Sequence, residues 1–397
     1  MSANPLDICQ RFNSFHEALP SSTREKLPIL WKEGKLGQKS ADIPIRRIIS
    51  REAHELEKKH LWSKVWQFVC REEHIPNVGD QYVYDICDKS YLIVRTAPGV
   101  INAFVNSCLH RGRLLREYSG NANEIRCPFH SFRWNLDGSI RAIPCRSEFT
   151  GRGKEDWALP KVRTGIWEGF VFINPDPNAE ALEAFLGELP QHFVRWNLRD
   201  RYVAAHVSKV IACNWKVAQE AFMESFHVTT THPQAAAAMN DQNSCNDAFG
   251  NVSRAMALFA TPSPLMGGQV TDQEVIDAML ERLPDEPPIM TVPSGIGARQ
   301  YMAGAQRERL RANIGDAVDE LEQTELVDIF YFSVFPNFHP WGAFNELVYR
   351  FRPHGDDHRH SIMEVLYLQT YKSGARPAPA SVRSLNLEQE FVEAPEF

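Results

Sequence analysis

Two cysteine–histidine pairs constrain this chain more than any other part of its sequence. Cys108 and His110 stand two residues apart in "CLHRG", and Cys127 and His130 stand three apart in "CPFH". Two thiolates and two imidazoles can hold a tetrahedral zinc ion or a [2Fe–2S] cluster, so the donor types alone leave both open. A chance occurrence of four unrelated residues is the third interpretation.

The spacing of the donors separates these interpretations. Each loop supplies one thiolate and one imidazole, and sixteen residues lie between the two motifs. That arrangement suits a cluster in which one iron takes both sulfurs and the other takes both nitrogens. A finger-type zinc site instead keeps its cysteines on one element and its histidines on a helix. The spacing favours the iron–sulfur centre and leaves zinc as the minor alternative.

Length and charge restrict the classes of function. With 397 residues the chain exceeds what one hydrophobic core usually supports, so we expect two domains. A net charge of -7 argues against a nucleic-acid partner. No stretch approaches the roughly 18 to 20 consecutive apolar residues of a membrane span, so we expect no membrane partner. The N-terminal "MSANPLDICQRF" lacks the layout of a secretory signal, and we expect a cytoplasmic protein.

The other six cysteines show no paired-ligand spacing. Eight cysteines in a chain of this length are too few and too scattered for a disulfide scaffold, and a reducing compartment keeps thiols free for metal. We interpret as buried or incidental thiols Cys9, Cys70, Cys87, Cys145, Cys213 and Cys245.

Secondary-structure patterns divide the chain into an N-terminal extension (1–44), a first domain (45–178) and a second domain (179–397). Within the first domain, a helical pattern at 50–62 precedes short β-branched and aromatic runs separated by turn residues. These runs predict a small antiparallel β domain, with strands near 81–86, 90–99, 101–107, 132–139 and 169–175.

The second domain mixes helical and strand patterns and is predicted to be α+β, with helices packed on an antiparallel sheet. A helical period covers 179–193, and strand patterns cover 202–213, 328–338, 345–355 and 361–371. The section 235–325 is interpreted as helix-leaning, with capping-box spacing at Thr271 and Glu274. Its methionines and phenylalanines are either core or the wall of a pocket for an apolar or aromatic guest.

A second metal site is indicated by Glu224, His227 and His232. Glu224 and His227 are three residues apart and are predicted to share one face of a helix. His232 stands before Pro233, where the helix is expected to end and the chain can return the second imidazole to the same metal. Two histidines and a carboxylate with open positions form the facial triad of mononuclear Fe(II) oxygenases. By themselves, these histidines could equally be ordinary helix residues.

Both motifs together resemble the Rieske non-haem iron oxygenases, the family of aromatic-ring-hydroxylating dioxygenase α subunits. The first match includes Arg111-Gly112, Pro128 and the "LDG" at 136–138, and the second includes Asn214-Trp215-Lys216 ahead of the acid and histidines. The resemblance covers both domains from about residue 45. The chain departs from the family in three places, which are Ser131-Phe132 for Gly-Trp, Ala221 for Asn, and Glu224 for the commoner Asp.

The resemblance implies a Rieske β domain followed by a helix-grip (START-like) catalytic domain. A [2Fe–2S] cluster would be held by Cys108, His110, Cys127 and His130, and a mononuclear Fe(II) by His227 and His232. Glu224 would be the catalytic residue that carries electrons between neighbouring subunits of a homotrimer, with or without a β subunit. The partners implied are O2, an aromatic or other apolar organic substrate, and a ferredoxin and/or an NAD(P)H-dependent reductase.

Two other functions stay open at this point. One is an oxidative O- or N-demethylase or monooxygenase on a methoxy or quaternary-amine substrate. The other, of a different class, is a Rieske electron-transfer or ligand-binding protein without oxygenase activity.

The third iron ligand of the family is a carboxylate from a helix near the C-terminus. The final "LNLEQEFVEAPEF" resembles the segment ahead of that helix, so we expect the sequence as given to end before the ligand. The alternative is that Glu388 or Glu390 takes this role.

Overall fold

The structure, a computed structural model, describes residues 15–34, 42–266, 270–282, 286–372, 374 and 376–394. The helices are α1 Ser21–Lys26, α2 Arg46–Ile49, α3 Arg51–Glu57, α4 Leu182–Leu186, α5 Leu189–Phe193, α6 Trp215–Glu220, α7 Val228–Thr231, α8 Asp272–Met279, α9 Ala298–Ile314 and α10 Gln323–Val327. None of the helices in the described part of the chain has the length and apolar character that a bilayer span requires.

The strands fall into four sheets. They are β1 Gln67–Arg71, β2 Asp80–Ile86, β3 Lys89–Ala97, β4 Val100–Val105, β5 Gly120–Asn121, β6 Ile125–Arg126, β7 Arg133–Trp134, β8 Ile140–Ala142, β9 Lys161–Trp167, β10 Phe170–Asn174, β11 Arg201–Ile211, β12 Met239–Phe249, β13 Val252–Phe259, β14 Ile329–Val334, β15 His339–Pro340, β16 Leu347–His354, β17 Asp357–Thr370 and β18 Arg383–Leu385.

The first half of the chain folds into an antiparallel β domain, as predicted. A seven-stranded sheet runs in the order β1-β10-β9-β4-β3-β2-β5, and a smaller sheet runs in the order β6-β7-β8. A core that includes Phe104, Phe132 and Trp134 joins the two. One cysteine–histidine loop follows β4 and the other connects β6 to β7, so the two sheets hold both loops at one end of the domain.

The second half is α+β, and the predicted fold class is confirmed. A five-stranded sheet in the order β15-β16-β17-β11-β18 is antiparallel except for β18, which pairs parallel with β11. The longest helix, α9, contributes Ala298, Met302 and Leu310 to the main core. The domain boundaries proposed at 45 and 179 stay predictions.

The helix-leaning interpretation of 235–325 is wrong for its first part. Strands β12 and β13 form a long hairpin there, and β14 pairs with β13. The hairpin closes through Gly250 and Asn251 between paired Phe249 and Val252, with Gly250 at a φ of 63°. A two-residue Gly-Asn loop is a hairpin pattern. The turn residues therefore indicated a hairpin, although the overall composition of the section did not.

The helix predictions at 50–62 and 179–193 hold with adjustments at their ends. The pattern at 50–62 becomes α3 followed by a π-helical turn, and the hydroxyl of Ser50 accepts from the Ala53 amide at its start. The pattern at 179–193 is divided into α4 and α5 at Gly187, whose φ is 50°. The capping box between Thr271 and Glu274 is confirmed.

The domains are joined by a buried arginine of β16. The guanidinium of Arg350 donates to both carboxylate oxygens of Glu364 at 2.5 and 2.7 Å, and also to the carbonyls of Phe68 and Val69 on β1. Burial alone would raise the pKa of Glu364, but Arg350 and Arg352 hold that pKa well below its ordinary range. The pair therefore stays charged and ties the five-stranded sheet to the first domain.

Asn337 makes a second connection at the same place. Its Oδ1 accepts from the Phe68 amide at 3.0 Å, and its Nδ2 donates to the Phe68 carbonyl at 3.2 Å. The register of β1 against β10 shifts between Phe68 and Cys70. The Asn337 side chain thus satisfies backbone groups next to this irregularity, where the ladder alone does not.

Loss of the arginine should destabilise the protein far more than loss of the whole ion pair. Arg350→Met leaves a buried carboxylate that only Arg352 and His206 approach, and should lower the free energy of unfolding by about 3–5 kcal/mol. The double variant Arg350→Met/Glu364→Met should recover part of that loss, because no charge is then left buried. Urea unfolding of the three proteins measures this, and a double variant as unstable as the single one would contradict it.

Candidate functional site

The two cysteine–histidine loops share one backbone design. The Cys108 carbonyl accepts from the Gly112 amide at 2.9 Å, and the Cys127 carbonyl accepts from the Ser131 amide at 3.1 Å. Each turn ends on a left-handed residue, since φ is 70° at Gly112 and 60° at Ser131. The cysteine begins the turn and the histidine lies within it, so both loops present their donors in the same way.

The structure brings all four predicted donors together. Cys108 and Cys127 are 4% and 1% exposed and lie beside each other, with their thiols close enough to interact. The rings of His110 and His130 have centroids 4.7 Å apart. Sulfur is therefore next to sulfur and nitrogen next to nitrogen, which is the segregation that a Rieske cluster needs.

The chemistry of these donors fits a [2Fe–2S] cluster. The Nδ1 atoms of His110 and His130 are buried and have no hydrogen-bond partner among the described residues. Burial raises the pKa of the Cys108 thiol, and the neighbouring Cys127 raises it further. Two thiolates at this place need a nearby positive charge, which iron supplies. Two orphaned ring nitrogens beside two buried thiols are what such a group would satisfy.

The departure at Ser131-Phe132 affects packing around the histidines. Phe132 is buried in the core and stacks on His110, with centroids 5.0 Å apart and planes 14° apart. Ser131 occupies a backbone conformation that favours glycine, and its hydroxyl accepts from Arg126 at 2.9 Å. The aromatic residue keeps a packing role, while the serine introduces local backbone strain.

At the second site, the predicted helix is interrupted. Helix α6 ends at Glu220 and α7 begins at Val228, so the expectation that Glu224 and His227 share a helix face is wrong. The connecting segment is a series of turns, held to β12 by a hydrogen bond from the Ser225 hydroxyl to the Asp241 carbonyl at 2.8 Å. This tertiary bond is not visible in the local sequence pattern.

Spacing by three residues still brings the acid to the histidine. The His227 Nδ1 shares a hydrogen bond with the Glu224 Oε1, and the His227 amide donates to Oε2 at 3.3 Å. His232 follows α7, and its ring centroid lies 5.5 Å from that of His227. The two imidazoles are thus adjacent, and Glu224 fixes the orientation of one of them.

No third protein donor joins these histidines in the described part of the chain, where no three histidine, cysteine or acidic side chains could hold one metal ion. Glu388 and Glu390 are exposed, and the Glu390 amide donates to Glu393 in a capping box at the C-terminal turn. The alternative that either acid takes this role stays a prediction.

The Asn-Trp-Lys segment positions α6 rather than a ligand. The Asn214 side chain caps the helix by accepting from the Lys216 amide at 3.0 Å. The Trp215 indole donates to Glu57 at 3.1 Å, and Lys216 forms an ion pair with the same carboxylate. These contacts attach the start of the iron-site segment to the element that precedes β1.

A cavity of about 500 Å³ adjoins the two histidines. Its lining is mainly apolar and comprises Ala221, Phe222, Glu224, Ser225, His227, Val228, Thr231, His232, Met239, Ser244, Asn246, Ala255, Met256, Ala257, Ile329, Tyr331 and Trp341. The section 235–325 was expected to form a pocket wall, and six of its residues, all between 239 and 257, line the cavity. The sequence analysis missed Ile329, Tyr331 and Trp341, because only the pairing of β14 with β13 brings them to this face.

The outcome for the other cysteines agrees with their interpretation as buried or incidental. Cys70 and Cys87 are buried, Cys213 and Cys245 are half-buried, and Cys145 is exposed. Cys9 lies outside the described residues.

Comparison with known proteins places both halves in one family. Residues 65–163 match the Rieske [2Fe-2S] domain, and residues 193–393, just over half of the chain, match the ring hydroxylating alpha subunit (catalytic domain). The chain belongs to the ring-hydroxylating oxygenase α-subunit family. The two cofactors predicted from the sequence, a Rieske cluster and a mononuclear iron, are those of this family.

Curated relatives of this oxygenase α subunit match its sequence over part of their length. The biphenyl 2,3-dioxygenase subunit alpha of Rhodococcus jostii (strain RHA1) is 33% identical over 195 residues, which cover 47% of this chain and 42% of that protein. The carnitine monooxygenase oxygenase subunit of Escherichia coli (strain K12) is 31% identical over 199 residues, covering 49% and 53% respectively. The chain thus spans about half the length of the curated relatives it matches.

Solved structures agree with this fold. Naphthalene 1,2-dioxygenase from Rhodococcus sp. bound to indole has a TM-score of 0.59 at 21% identity, covering 90% of this chain and 76% of that one. A quaternary ammonium Rieske monooxygenase in complex with an inhibitor has a TM-score of 0.61 at 19% identity, covering 84% and 77%. At these identities the likeness concerns the fold alone.

The left-handed serine of the second loop gives a direct test of the loop design. Ser131→Gly should raise the free energy of unfolding by up to about 1 kcal/mol, because glycine adopts a positive φ without strain. Ser131→Ala removes the same hydroxyl but keeps the strain, so it should not stabilise. Thermal unfolding of both variants measures the difference, and equal effects would show that the backbone conformation at Ser131 is unimportant.

Proposed function

We propose that this chain is the oxygenase component of a Rieske non-haem iron system. It would use O2 and electrons from a separate ferredoxin and/or NAD(P)H-dependent reductase to hydroxylate or dihydroxylate an aromatic or other apolar organic substrate. The observation that carries this proposal is the position of two adjacent imidazoles, one oriented by a carboxylate, at the wall of a mainly apolar cavity.

The residues that would hold the cofactors follow from the donors. Cys108 and Cys127, with the buried Nδ1 atoms of His110 and His130, would hold the cluster. His227 and His232 would hold the mononuclear iron, whose protein carboxylate is not among the described residues. When bound, the cluster supplies stored electrons and the mononuclear iron supplies activation of O2.

The Glu224 carboxylate can act on its surroundings in two ways. Its hydrogen bond at the Nδ1 of His227 leaves Nε2 of that ring as the nitrogen available to a metal. The same carboxylate lies at the cavity wall and is only half-buried, so it can also accept a hydrogen bond from a neighbouring subunit. This supports its proposed role in electron transfer between subunits.

The surface around Glu224 supports a homotrimer in which each cluster approaches the next subunit's iron site. Phe226, two residues after Glu224 in the chain, is 66% exposed. In the proposed trimer this ring would be covered by the neighbouring subunit. A β subunit and a cytoplasmic location remain parts of the proposal that follow from the sequence alone.

Apolar walls around the iron site serve two purposes. Phe222, Tyr331 and Trp341 supply aromatic rings to the wall beside a flat guest, and Met239 supplies an adaptable contact. A bound aromatic guest would exclude water from the neighbourhood of His227 and His232, which protects the oxidation from side reactions.

Removal of a cluster ligand should empty the cluster site and leave the mononuclear iron in place. The oxygenase should contain about three irons per chain, two of them in the cluster. Cys108→Ser should abolish the visible absorption of the cluster and leave about one iron per chain, while far-UV circular dichroism stays unchanged. An intact cluster spectrum in this variant would contradict the assignment, and about two irons in the unmodified protein would favour an electron carrier.

Glu224→Gln should retain both metals and lose turnover. The amide can keep the geometry near His227 but cannot stabilise charge on its ring, so product formation should fall about 10- to 100-fold. Glu220→Gln is the matched control, because Glu220 is an exposed acid four residues earlier at the end of α6. Iron content and product yield by mass spectrometry measure the effect. Equal activity in both variants would reduce Glu224 to an ordinary surface acid.

Oxidative demethylation is the second candidate. It is favoured by the carnitine monooxygenase relatives and by three aromatic rings in the cavity wall, since ring faces attract methylated ammonium groups. Release of formaldehyde from methoxy or quaternary-amine substrates, without ring hydroxylation, would establish this function instead.

A further inference from the structure

The floor of the cavity is a row of side chains across one sheet. Asn246 on β12 pairs with Ala255 on β13, and Ala255 pairs with Tyr331 on β14. Tyr331 in turn forms a β-bridge with Trp341. Directly paired residues of an antiparallel sheet point to the same face, and all four of these residues line the cavity.

The middle of this floor is shallow. Ala255 and Ala257 are two residues apart on β13, so they share the cavity face. Ala257 pairs with Ile329, as Ala255 pairs with Tyr331. Two methyl groups between larger side chains leave a slot that is bounded by Asn246 on one side and by Tyr331 on the other. A flat ring fits over such a slot.

Several polar groups at the slot have no hydrogen-bond partner among the described residues: besides Ser244 and Asn246, they include the buried Tyr331 hydroxyl and the Trp341 indole N–H. The side chains of Ser244 and Asn246 make no hydrogen bond with any residue that the structure describes, and both are half-buried. Their neighbours on the same strand are paired, since Asn243 donates to Asn240 at 2.9 Å and Gln242 donates to Asp241 at 2.7 Å. An amide and a hydroxyl in an apolar cavity are stabilised when a ligand supplies the missing partner.

The charges at the cavity limit the kind of ligand. Neither lysine nor arginine occurs among its lining residues, and the one acidic residue, Glu224, is bonded to His227. A charged substituent next to Asn246 would lose hydration without gaining an opposite charge from the protein. A neutral group that accepts or donates a hydrogen bond meets no such penalty.

We propose that Asn246, assisted by Ser244, determines substrate specificity by binding a neutral polar substituent of an aromatic substrate. The ring would lie over Ala255 and Ala257, and its carbonyl, ether, amide or hydroxyl group would pair with the Asn246 side chain. This inference rests on the proposed oxygenase function and names its substrate class. It distinguishes such substrates from unsubstituted hydrocarbons and from carboxylates.

The test compares two ligands of nearly equal shape, acetophenone and isopropenylbenzene, which differ by a carbonyl in place of a methylidene group. Binding is measured by isothermal titration calorimetry on the iron-loaded protein without reductant, so that no turnover occurs. Asn246→Leu should weaken acetophenone binding about three- to tenfold and should leave isopropenylbenzene binding unchanged or tighter. Ser244→Ala should change the same ratio in the same direction by less.

Gln242→Met is the matched control, because it removes an amide from the same strand outside the cavity lining and should not alter the ratio. The inference is overturned if Asn246→Leu weakens both ligands equally, or if the unmodified protein binds benzoate more tightly than acetophenone. Absence of acetophenone binding to the unmodified protein also overturns it.

The binding experiment and the oxygenase assay test different statements, so either one can be contradicted while the other holds. Product formation with added reductase and O2 tests the proposed function, and the ratio of the two affinities tests the role of Asn246. A protein that binds acetophenone through Asn246 but forms no oxidised product would retain this inference and lose the proposed function.

Discussion

The arrangement of both sites depends on one buried guanidinium. Arg350 belongs to the five-stranded sheet, yet it donates to the carbonyls of Phe68 and Val69 in the first strand of the Rieske domain. Glu364 on the adjacent strand keeps it charged and oriented. Since an unpaired buried charge is strongly unfavourable, neither partner can move without the other. The two halves of the chain are therefore held in one fixed relation.

Within this fixed arrangement, both sites are built on short turns rather than on long helices or strands. The cluster loops place a cysteine and a histidine on matching turns that end at Gly112 and Ser131. The segment 221–227 places Glu224 and His227 on turns between the two short helices α6 and α7. Turns expose side chains at close spacing, and the sheets beneath supply the rigidity that turns lack. In the cavity, small residues of β13 leave space, and larger residues on both sides enclose it.

Much of the fold and of the metal sites was predictable from the sequence. The cysteine–histidine spacing identified four residues that the structure brings together, and strand patterns located nine of the eighteen described strands. Two errors have a physical origin. The interpretation of the β12–β13 hairpin as helix-leaning is wrong because β12 has polar residues on both faces and shows no apolar alternation, although Gly250-Asn251 indicates a turn. The helix expected through Glu224 is replaced by turns, whose Ser225 hydroxyl bonds to the Asp241 carbonyl of β12, a tertiary contact that no local pattern contains.

The sequence by itself determined which donors exist and how far apart they stand along the chain. Those are local properties: turn chemistry places each cysteine beside its own loop's histidine and Glu224 beside His227, and the two sheets of the first domain then bring the two loops together. Only the tertiary structure decided which side chains surround the substrate. Asn246, Ala255, Tyr331 and Trp341 come from four separate segments, and they meet because antiparallel pairing places directly opposed residues on one face. Pairing between segments so distant in sequence is set by burial of the whole sheet, which no local pattern contains.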